Sequence, residues 1–348
     1  MDLEQIIKRL QTWTNSVPLI ILGSGASVPF GIPSMLELGN FLKDEISFTD
    51  TEDQTQFETF KTNFDSCKDL ESTLLDMQLR KSVSNEIIVK TWELINNKDL
   101  ELYENLLQEN DNFPLSQLIT YLLSTTKQKV SIVTTNYDRL AEYATNLANA
   151  FICNGFSQNF FGHFSNTIHK NDFTKTQGFA GQVNIWKVHG SLDWFKSNDD
   201  VDFNFPLRKQ IPNNYIPSIV TPGIDKYYQT HLEPFRTIFT ESDNEIQKAN
   251  GFFCIGYGFN DKHVQPKLIT QIKNGKPIIV ITKKLTAKTK EAVINNSCKN
   301  YILFEQANDN DTRIYTPDFS KGEIIEGQSY WRLEEYLKLI NRKHYGNI

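Results

Sequence analysis

The chain has 348 residues, with 36 basic and 42 acidic side chains and a formal net charge of −6. An independent nucleic-acid-binding domain usually presents a basic face, so this balance argues against direct nucleic-acid binding. Hydrophobic residues make up 39% of the chain, which is enough to form a buried core and excludes wholesale disorder.

The sequence indicates a protein of the reduced cytoplasm. Its longest apolar run, residues 17–22, is far shorter than the roughly 20 residues that span a bilayer, and its N-terminus does not have the pattern of a signal peptide. Because Cys67, Cys153, Cys254 and Cys298 form no C-x-x-C pair, a four-cysteine zinc site is excluded. We therefore expect a cytoplasmic location, no bound metal and no membrane partner.

The first predicted elements are a helix, a buried strand and a second helix. Residues 2–13 place apolar side chains on one face, which is typical of an amphipathic helix. Residues 18–22 are all apolar, as expected for a strand buried on both faces. The segment 34–37 has the pattern of a capping box that opens a helix. Residues 55–126 contain no glycine and only Pro114, which favours several helices inserted between strands.

Further along the chain, apolar runs of strand length alternate with helical patterns. A strand at 130–133 precedes a helix at 139–150, with Asp138 as its N-cap. Residues 151–182 are expected to be irregular, and the prolines of 197–230 suggest a long surface excursion. The other predicted elements are strands at 183–188, 251–255, 277–281 and 301–304 and a closing helix at 329–342. This alternation predicts an α/β chain whose parallel sheet is covered by helices on both faces.

Candidate functional residues follow the strands, where parallel sheets bind their ligands. The first cluster consists of Gly23, Ser24, Gly25, Ala26 and Ser27. Its small residues let the backbone approach a pyrophosphate, which the N–H groups of the loop can bind. The G-x-G-x-x-G pattern is incomplete, because its last position is Val28, and a tight strand-to-helix turn is the alternative interpretation.

Two further clusters carry side chains suited to catalysis. The amide of Asn136 can bind a ribose hydroxyl or a water, and the carboxylate of Asp138 can bind a carboxamide or stabilise a developing cation; a turn with a helix cap is the alternative. His189 ends the third strand just before Gly190. Its ordinary pKa of about 6.5 makes it a candidate acid or base, although a lone histidine is usually structural.

The last candidates follow the fourth and fifth strands. Gly256 and Gly258 permit close approach of a ligand, and Asn260 or Asp261 can cap the helix that follows. Thr282 is a weaker candidate for a contact with ribose or adenine.

Taken in order, these clusters resemble the sirtuin family, in particular the sirtuin-like NAD-hydrolase domains of bacterial anti-phage defence proteins. The matching segments are residues 23–27, 31–33, 135–138, 188–190 and 255–261. The resemblance implies a Rossmann-like sheet that binds NAD, with Asn136 near the nicotinamide ribose, Asp138 near the carboxamide and His189 as the catalytic histidine. It implies cofactor contacts from Gly23, Ser24, Gly25, Ala26, Ser27, Pro33, Thr135, Gly256, Gly258, Asn260 and Thr282.

The resemblance also implies how the chain is divided. Residues 17–54 and 127–305 would form the NAD-binding catalytic domain, interrupted by a helical insertion at 55–126. Residues 1–16 would form an N-terminal helix, and residues 306–348 a C-terminal segment with the closing helix.

Three departures separate the chain from the protein deacylases of that family. Deacylases carry a zinc module with two C-x-x-C pairs, which this chain cannot build. They have Asp-Phe-Arg where this chain has Ser34-Met35-Leu36, and usually glutamine at the position of Thr135. NAD hydrolysis needs only bound NAD, a departing nicotinamide and a water. The resemblance therefore implies an NAD glycohydrolase without a metal, with a deacylase or ADP-ribosyltransferase and a non-catalytic NAD- or ADP-ribose-sensing module as alternatives.

A permanently active NAD hydrolase would kill its own cell. The resemblance therefore implies abortive infection, in which the enzyme stays inactive until phage infection triggers NAD depletion. It also implies a homo-oligomer and a separate sensor or activator protein. A HerA-type ATPase, an Argonaute-like protein and a nucleotide-sensing subunit remain open for that role.

Overall fold

The computed structural model describes residues 2–67, 69–75, 77–109, 113–125, 128–221, 231–261, 264–296 and 298–341. Its helices are α1 (Leu3–Asn15), α2 (Met35–Glu45), α3 (Thr51–Cys67), α4 (Leu70–Leu75), α5 (Lys81–Gln108), α6 (Pro114–Leu123), α7 (Leu140–Leu147), α8 (Phe235–Lys248), α9 (Gln265–Lys273), α10 (Ala287–Thr289) and α11 (Leu333–Ile340). Helix α10 continues as a π-helical segment over Lys290–Asn295. Within the described ranges, none of these helices combines the length and apolar character needed to cross a bilayer.

The strands form two sheets. In chain order they are β1 (Leu19–Leu22), β2 (Lys129–Thr134), β3 (Phe151–Cys153), β4 (Gly162–His163), β5 (Gln182–Lys187), β6 (Gly190–Ser197), β7 (Asp202–Asn204), β8 (Tyr215–Ile219), β9 (Phe252–Ile255), β10 (Ile278–Thr282), β11 (Tyr301–Asn308), β12 (Asp311–Thr316) and β13 (Phe319–Ile325).

The main sheet has the strand order β3-β5-β2-β1-β9-β10-β11-β12-β13. The strands from β3 to β11 run parallel, and β12 and β13 extend the sheet as antiparallel strands. The predicted strands correspond to β1, β2, β5, β9, β10 and β11, which confirms the α/β fold class. The antiparallel edge was not predicted, because only a helix was expected after residue 306.

Two hydrophobic clusters cover the two faces of the main sheet. Ile20 and Leu22 of β1 face one cluster, which includes apolar residues of α1, α6, α7 and α11. Leu19 and Ile21 face the other cluster, which includes residues of α8 and α9. Because successive strand residues point to opposite faces, a strand covered on both sides must be apolar at every position. This is the physical reason for the uninterrupted apolar run of β1.

The second sheet is antiparallel, with the order β4-β7-β6-β8. It shares a third core with helices α3 to α5, in which the indole N–H of Trp92 donates to the carbonyl of Leu192 at 2.9 Å. The surface excursion predicted for residues 197–230 is wrong where β7 and β8 lie, and residues 222–230 of it fall outside the described ranges. The prolines suggested a loop, but Pro217 lies in the edge strand β8, where a missing N–H is tolerated.

Side chains accept main-chain N–H groups at the starts of two helices. Asp2 accepts the N–H of Gln5 at the start of α1. Ser34 and Glu37 form the predicted capping box of α2, with each side chain accepting the other residue's N–H. The predicted N-cap of α7 is wrong by one residue: Arg139 holds that position, and Asp138, just before it, accepts the N–H of Leu140 at 3.1 Å. Such caps stabilise a helix by about 1 kcal/mol each.

The loops that follow β1 and β9 touch each other through their main chains. The N–H of Gly25 donates to the carbonyl of Gly256 at 3.1 Å. A Cβ atom on Gly256 would lie 2.2 Å from the amide nitrogen of Ala26, and one on Gly23 would lie 2.5 Å from the Gly256 oxygen. Gly256 also has a φ of +58°, in the left-handed region that favours glycine. Glycine is therefore required at these positions by the contact between the loops.

We predict that Gly256→Ala is strongly destabilising. A left-handed backbone costs a residue with a Cβ roughly 1–2 kcal/mol, and the overlap with the main chain of the neighbouring loop adds to it. The free energy of unfolding, measured by urea denaturation, should fall by about 3 kcal/mol or more.

Gly275→Ala is the matched control for this prediction. Gly275 has a φ of +96°, and a Cβ atom added to it would have no other atom within 4 Å, so only the backbone cost of about 1 kcal/mol should be measured. Equal losses of stability in the two variants would show that the contact between the loops is not a constraint.

Candidate functional site

The candidate site lies where the chain changes direction along the main sheet. From β1 the chain continues to β2 and β5 on one side, and later to β9, β10 and β11 on the other. In such sheets a crevice forms beyond the carboxyl ends of the two central strands, here β1 and β9. The loops after these strands are the two glycine-containing loops that touch each other.

Two cavities open at this edge of the sheet. The cavities are named after the parts of NAD that the sequence leads us to expect there. The first, which we call the nicotinamide-side cavity, has a volume of about 120 Å³. Its lining includes Gly23, Ser24, Ser27, Pro33, Thr135, Asn136, Asp138, His189, Gly258, Asn260 and Asp261. The second, which we call the adenosine-side cavity, has a volume of about 800 Å³. Its lining includes Gly25, Ala26, Gly256, Thr282, Lys283, Lys284, Trp331 and Arg332.

Together the two linings include every catalytic and cofactor-binding residue that was predicted from the sequence. The three candidate catalytic residues line the nicotinamide-side cavity together with most of the nominated cofactor-binding residues. Gly25, Ala26, Gly256 and Thr282 line the adenosine-side cavity instead. The contact between Gly25 and Gly256 lies between the two groups.

Asn136 ties the end of β2 to the first glycine loop. Its Nδ2 atom donates to the carbonyl of Gly23 at 3.0 Å and to the hydroxyl of Ser27 at 3.1 Å. Its own N–H donates to the hydroxyl of Thr134 at 3.1 Å. The amide is thus held against the loop that the sequence assigned to the pyrophosphate.

Asp138 is a buried carboxylate at the floor of the nicotinamide-side cavity, with 5% of its surface exposed. It accepts hydrogen bonds from the hydroxyl of Ser27 and from the N–H of Leu140. Burial raises its pKa above the ordinary value, because the charged form loses its hydration, and the nearby Lys187 ammonium opposes this increase without cancelling it.

Lys187 is a fully buried cation below Asp138. Its ammonium donates to the main-chain carbonyl of Asp138 and lies 3.2 Å from Oε1 of Glu142. Burial also raises the pKa of Glu142. Because an unpaired buried ammonium would be very costly, these contacts keep the end of β5 next to the start of α7.

Arg139, the residue after Asp138, is the centre of a buried network of charges. Its guanidinium lies 2.5 Å from Oδ2 of Asp99 on α5 and contacts Asp193 on β6, while its N–H donates to Asp99 at 2.7 Å. The hydroxyl of Tyr143 donates to the same Asp99 carboxylate at 2.5 Å. Burial alone would lower the pKa of Arg139, but the carboxylates of Asp193 and Asp99 outweigh it and raise that pKa.

This network was not predicted from the sequence. Asp99 belongs to the segment expected to be a helical insertion, and nothing in its spacing indicates a partner at Arg139. The network positions the backbone at 138–139, because α5 and β6 both contact the guanidinium of Arg139.

His189 lies next to a carboxylate that the sequence suggested only as a helix cap. Its Nε2 atom is 2.7 Å from Oδ2 of Asp261, and both residues line the nicotinamide-side cavity. The position of Asp261 in the segment 256–261 was visible in the sequence, but its pairing depends on β5 and β9 ending at the same edge of the sheet.

Two further observations concern side chains outside the candidate catalytic residues. The side chain of His169 is buried, with its Nε2 atom 3.4 Å from Oε1 of Glu241 and its ring edge-on to Trp186. Within the described ranges, no group of three or more His, Cys, Asp or Glu side chains is arranged to hold a metal ion.

We predict that Asp99→Asn destabilises the protein, because it leaves the buried Arg139 guanidinium without one of its two carboxylates. Removing one partner of a buried ion pair typically costs about 3–5 kcal/mol, so urea denaturation should show a loss of about 3 kcal/mol.

Glu101→Gln is the control for this change. It removes a carboxylate from the same helix, but Glu101 pairs with Lys98 in solvent, and such pairs contribute about 0–1 kcal/mol. If Asp99→Asn were as mild as Glu101→Gln, the network would not hold the backbone at 138–139.

The central part of the chain matches a known domain family. Residues 130–297 match the sequence model of a SIR2-like domain, a segment that contains Asn136, Asp138, His189 and Asp261 but not the first glycine loop. No curated protein matches the chain significantly.

The chain is also similar to solved structures of Sir2 homologues. A Sir2 homologue in complex with NAD is 14% identical, with 87% of this chain and 88% of that chain covered and a TM-score of 0.43. A mutant Sir2 homologue in complex with 2′-O-acetyl ADP ribose is 14% identical, with 99% and 100% covered and a TM-score of 0.47. The SIR2-like match and the parallel sheet with its helices on both faces together give the chain a sirtuin-like Rossmann fold.

Proposed function

We propose that the protein binds NAD and hydrolyses it to nicotinamide and ADP-ribose. The observation that carries this proposal is the convergence of Asn136, Asp138 and His189 in one cavity beside the first glycine loop. Asn136 and Asp138 follow β2 and His189 follows β5, and a reacting ribose placed among them would meet an amide, a carboxylate and an imidazole. The SIR2-like match of residues 130–297 supports an NAD-utilising enzyme.

The two cavities support binding of an extended dinucleotide. Sites for small molecules usually enclose about 300–1,000 Å³, so the nicotinamide-side cavity of about 120 Å³ is small for a whole dinucleotide, whereas the adenosine-side cavity of about 800 Å³ is within that range. In our proposal, nicotinamide and its ribose occupy the first cavity and adenosine occupies the second. The pyrophosphate then crosses the Gly25–Gly256 contact, where the glycines carry no side chain that would block its approach to the main chain.

In the proposed reaction, the bond between the ribose C1′ and the nicotinamide nitrogen breaks, and its electron pair neutralises the pyridinium ring. The negative charge of Asp138 stabilises the positive charge that develops at C1′. The oxygen of a water bonds to C1′, and His189 accepts the proton that this water releases, directly or through a ribose hydroxyl. Asn136 holds the ribose or the water in place through the oxygen of its amide.

Water is the acceptor that the cavity favours. Besides its polar residues, the nicotinamide-side cavity is lined by Met35 and Leu38 of α2 and by Ile95 of α5. These apolar side chains restrict it to a small volume, which suits a water better than an acylated lysine peptide. The lack of C-x-x-C pairs agrees with this interpretation.

We propose further that the enzyme depletes cellular NAD as the effector of anti-phage defence by abortive infection. In this proposal it is a cytoplasmic homo-oligomer that stays inactive until infection, when a separate sensor or activator protein triggers it. The resemblance of the glycine, Asn136, His189 and Gly256 clusters to defence-associated sirtuin-like domains supports this role. Co-expression with proteins encoded by neighbouring genes, followed by size-exclusion chromatography, tests it.

The proposed activity predicts that the purified protein, with an activator where one is needed, releases nicotinamide from NAD. Asn136→Ala and His189→Ala should each reduce the rate by about 10²-fold or more, because each removes a group that acts on the reacting ribose or its water. Chromatographic quantification of nicotinamide and ADP-ribose measures this.

His163→Ala is the matched control, since His163 is an exposed histidine that does not line either cavity described here. Its rate should equal that of the wild type. Full activity of His189→Ala would exclude it as the base. Nicotinamide release that depends strictly on an acylated peptide would identify a deacylase, and NAD binding without any product would identify a sensor.

The role of Asp138 gives a separate prediction. Asp138→Asn keeps the shape and the acceptor for the Leu140 N–H but removes the negative charge, so we expect kcat to fall by at least about 10²-fold while the thermal unfolding midpoint changes little. An unchanged kcat would show that the charge of Asp138 does not act on the reacting centre.

A further inference from the structure

Asp261 and His189 form a pair at the candidate site, and the proposed reaction gives a role to His189 but none to Asp261. The Nε2 atom of His189 lies 2.7 Å from Oδ2 of Asp261, which is the distance of an ion pair. The Asp261 side chain is 5% exposed and the His189 side chain 11%. Both groups are therefore largely withdrawn from water, at the wall of the nicotinamide-side cavity.

The other oxygen of the Asp261 carboxylate is also engaged. Its Oδ1 atom accepts the N–H of Val264 at 2.9 Å, and the main-chain carbonyl of Asp261 accepts the N–H of Gln265 at 3.2 Å, where α9 begins. One oxygen thus anchors the side chain to the first turn of a helix, and this leaves the other directed at the imidazole. Because a helix start favours negative charge, this anchor also favours the ionised carboxylate.

A cap alone does not account for this arrangement. Capping uses one carboxylate oxygen, and an asparagine or serine would cap equally well. A buried carboxylate is costly unless its charge is paired, and His189 is the cavity-lining group that lies within ion-pair distance of it. A positively charged His189 would pair directly with the charge of Asp261.

We propose that Asp261 is the positioning residue of His189 in the hydrolysis of NAD, an inference that rests on the proposed function. Asp261 orients the imidazole toward the ribose and stabilises the imidazolium that forms when His189 accepts a proton. The proton comes from the attacking water as its oxygen bonds to C1′, and it returns to solvent after ADP-ribose leaves. Asp261 itself keeps its charge throughout and exchanges no proton with substrate or product.

The decisive variant is Asp261→Asn. It retains an oxygen that can accept the Val264 N–H, so the start of α9 is preserved, and it removes only the charge. We expect kcat for nicotinamide release to fall by about 10- to 1,000-fold, within the range that a general base contributes, while KM for NAD changes less than about threefold. If Asp261 had a purely structural role, the variant would have a lower thermal unfolding midpoint, and kcat would not fall selectively while KM stayed nearly constant. That result would contradict the proposal.

A double variant separates action through His189 from any other effect. In the His189→Ala background, Asp261→Asn should cause less than about a twofold further loss of kcat, because a positioning residue has no effect once its partner is gone. Independent, additive losses in the two variants would overturn the proposal. Asp50→Asn, which likewise removes only the charge of a capping carboxylate at the start of α3, is the control for the loss of charge at a helix start and should leave kcat unchanged.

The pair can also be tested without turnover. Tyr137, Asp138 and Tyr257 are the other titratable side chains that line this cavity among the described residues, and all three are kept in the variant. In a titration of the His189 imidazole followed by NMR, Asp261→Asn should lower the histidine pKa, because it removes the adjacent negative charge. An unchanged pKa would overturn the pairing. A third result would separate the two proposals. If the wild type released no nicotinamide under any condition, but the His189 pKa was lower in Asp261→Asn than in the wild type, the proposed hydrolysis would be wrong and the pairing of Asp261 with His189 would be confirmed.

Discussion

The structure depends on one constraint, namely that two strand-end loops meet at a place with no room for side chains. The loop after β1 and the loop after β9 contact each other through glycine main chains, with a hydrogen bond from Gly25 to Gly256. Because β1 and β9 are neighbours at the centre of the sheet, this contact determines how closely the loops beyond the ends of these strands can approach each other. It separates the two cavities, and through the Gly23 carbonyl it also sets the position of the Asn136 amide.

Buried charges then determine the position of the remaining catalytic candidates. Lys187 pairs with Glu142, Arg139 is held by Asp99 and Asp193, and Asp261 faces His189. Isolated, each of these ions would destabilise the interior, so each is tolerated only together with its partner. A site organised in this way is rigid, because displacing one side chain exposes another ion to an apolar environment.

Much of this architecture could be predicted from the sequence. Apolar runs such as 18–22 indicate strands buried on both faces, and the polar residues after them indicate an edge where ligands bind. The Asp99–Arg139 and His189–Asp261 pairs could not be predicted, because they join segments that are distant in the chain and each residue alone resembles a surface or capping residue. The small antiparallel sheet was missed for another reason: Pro217 disfavours a central strand but is compatible with the edge position that β8 occupies.

The buried pair of Asp99 and Arg139 has a consequence for how the chain could be cut or rearranged. The sequence predicts that helix α5 belongs to an inserted helical block. Such a block could be expected to be deleted, or moved to another protein, as a unit. Yet its Asp99 neutralises an arginine beside the site, its Trp92 donates to β6, and its Ile95 lines the wall of the cavity. Excision of the block would remove one of the two carboxylates that neutralise the buried guanidinium. The sheet that carries the candidate site and the helical block therefore stabilise each other and cannot be separated without loss of stability.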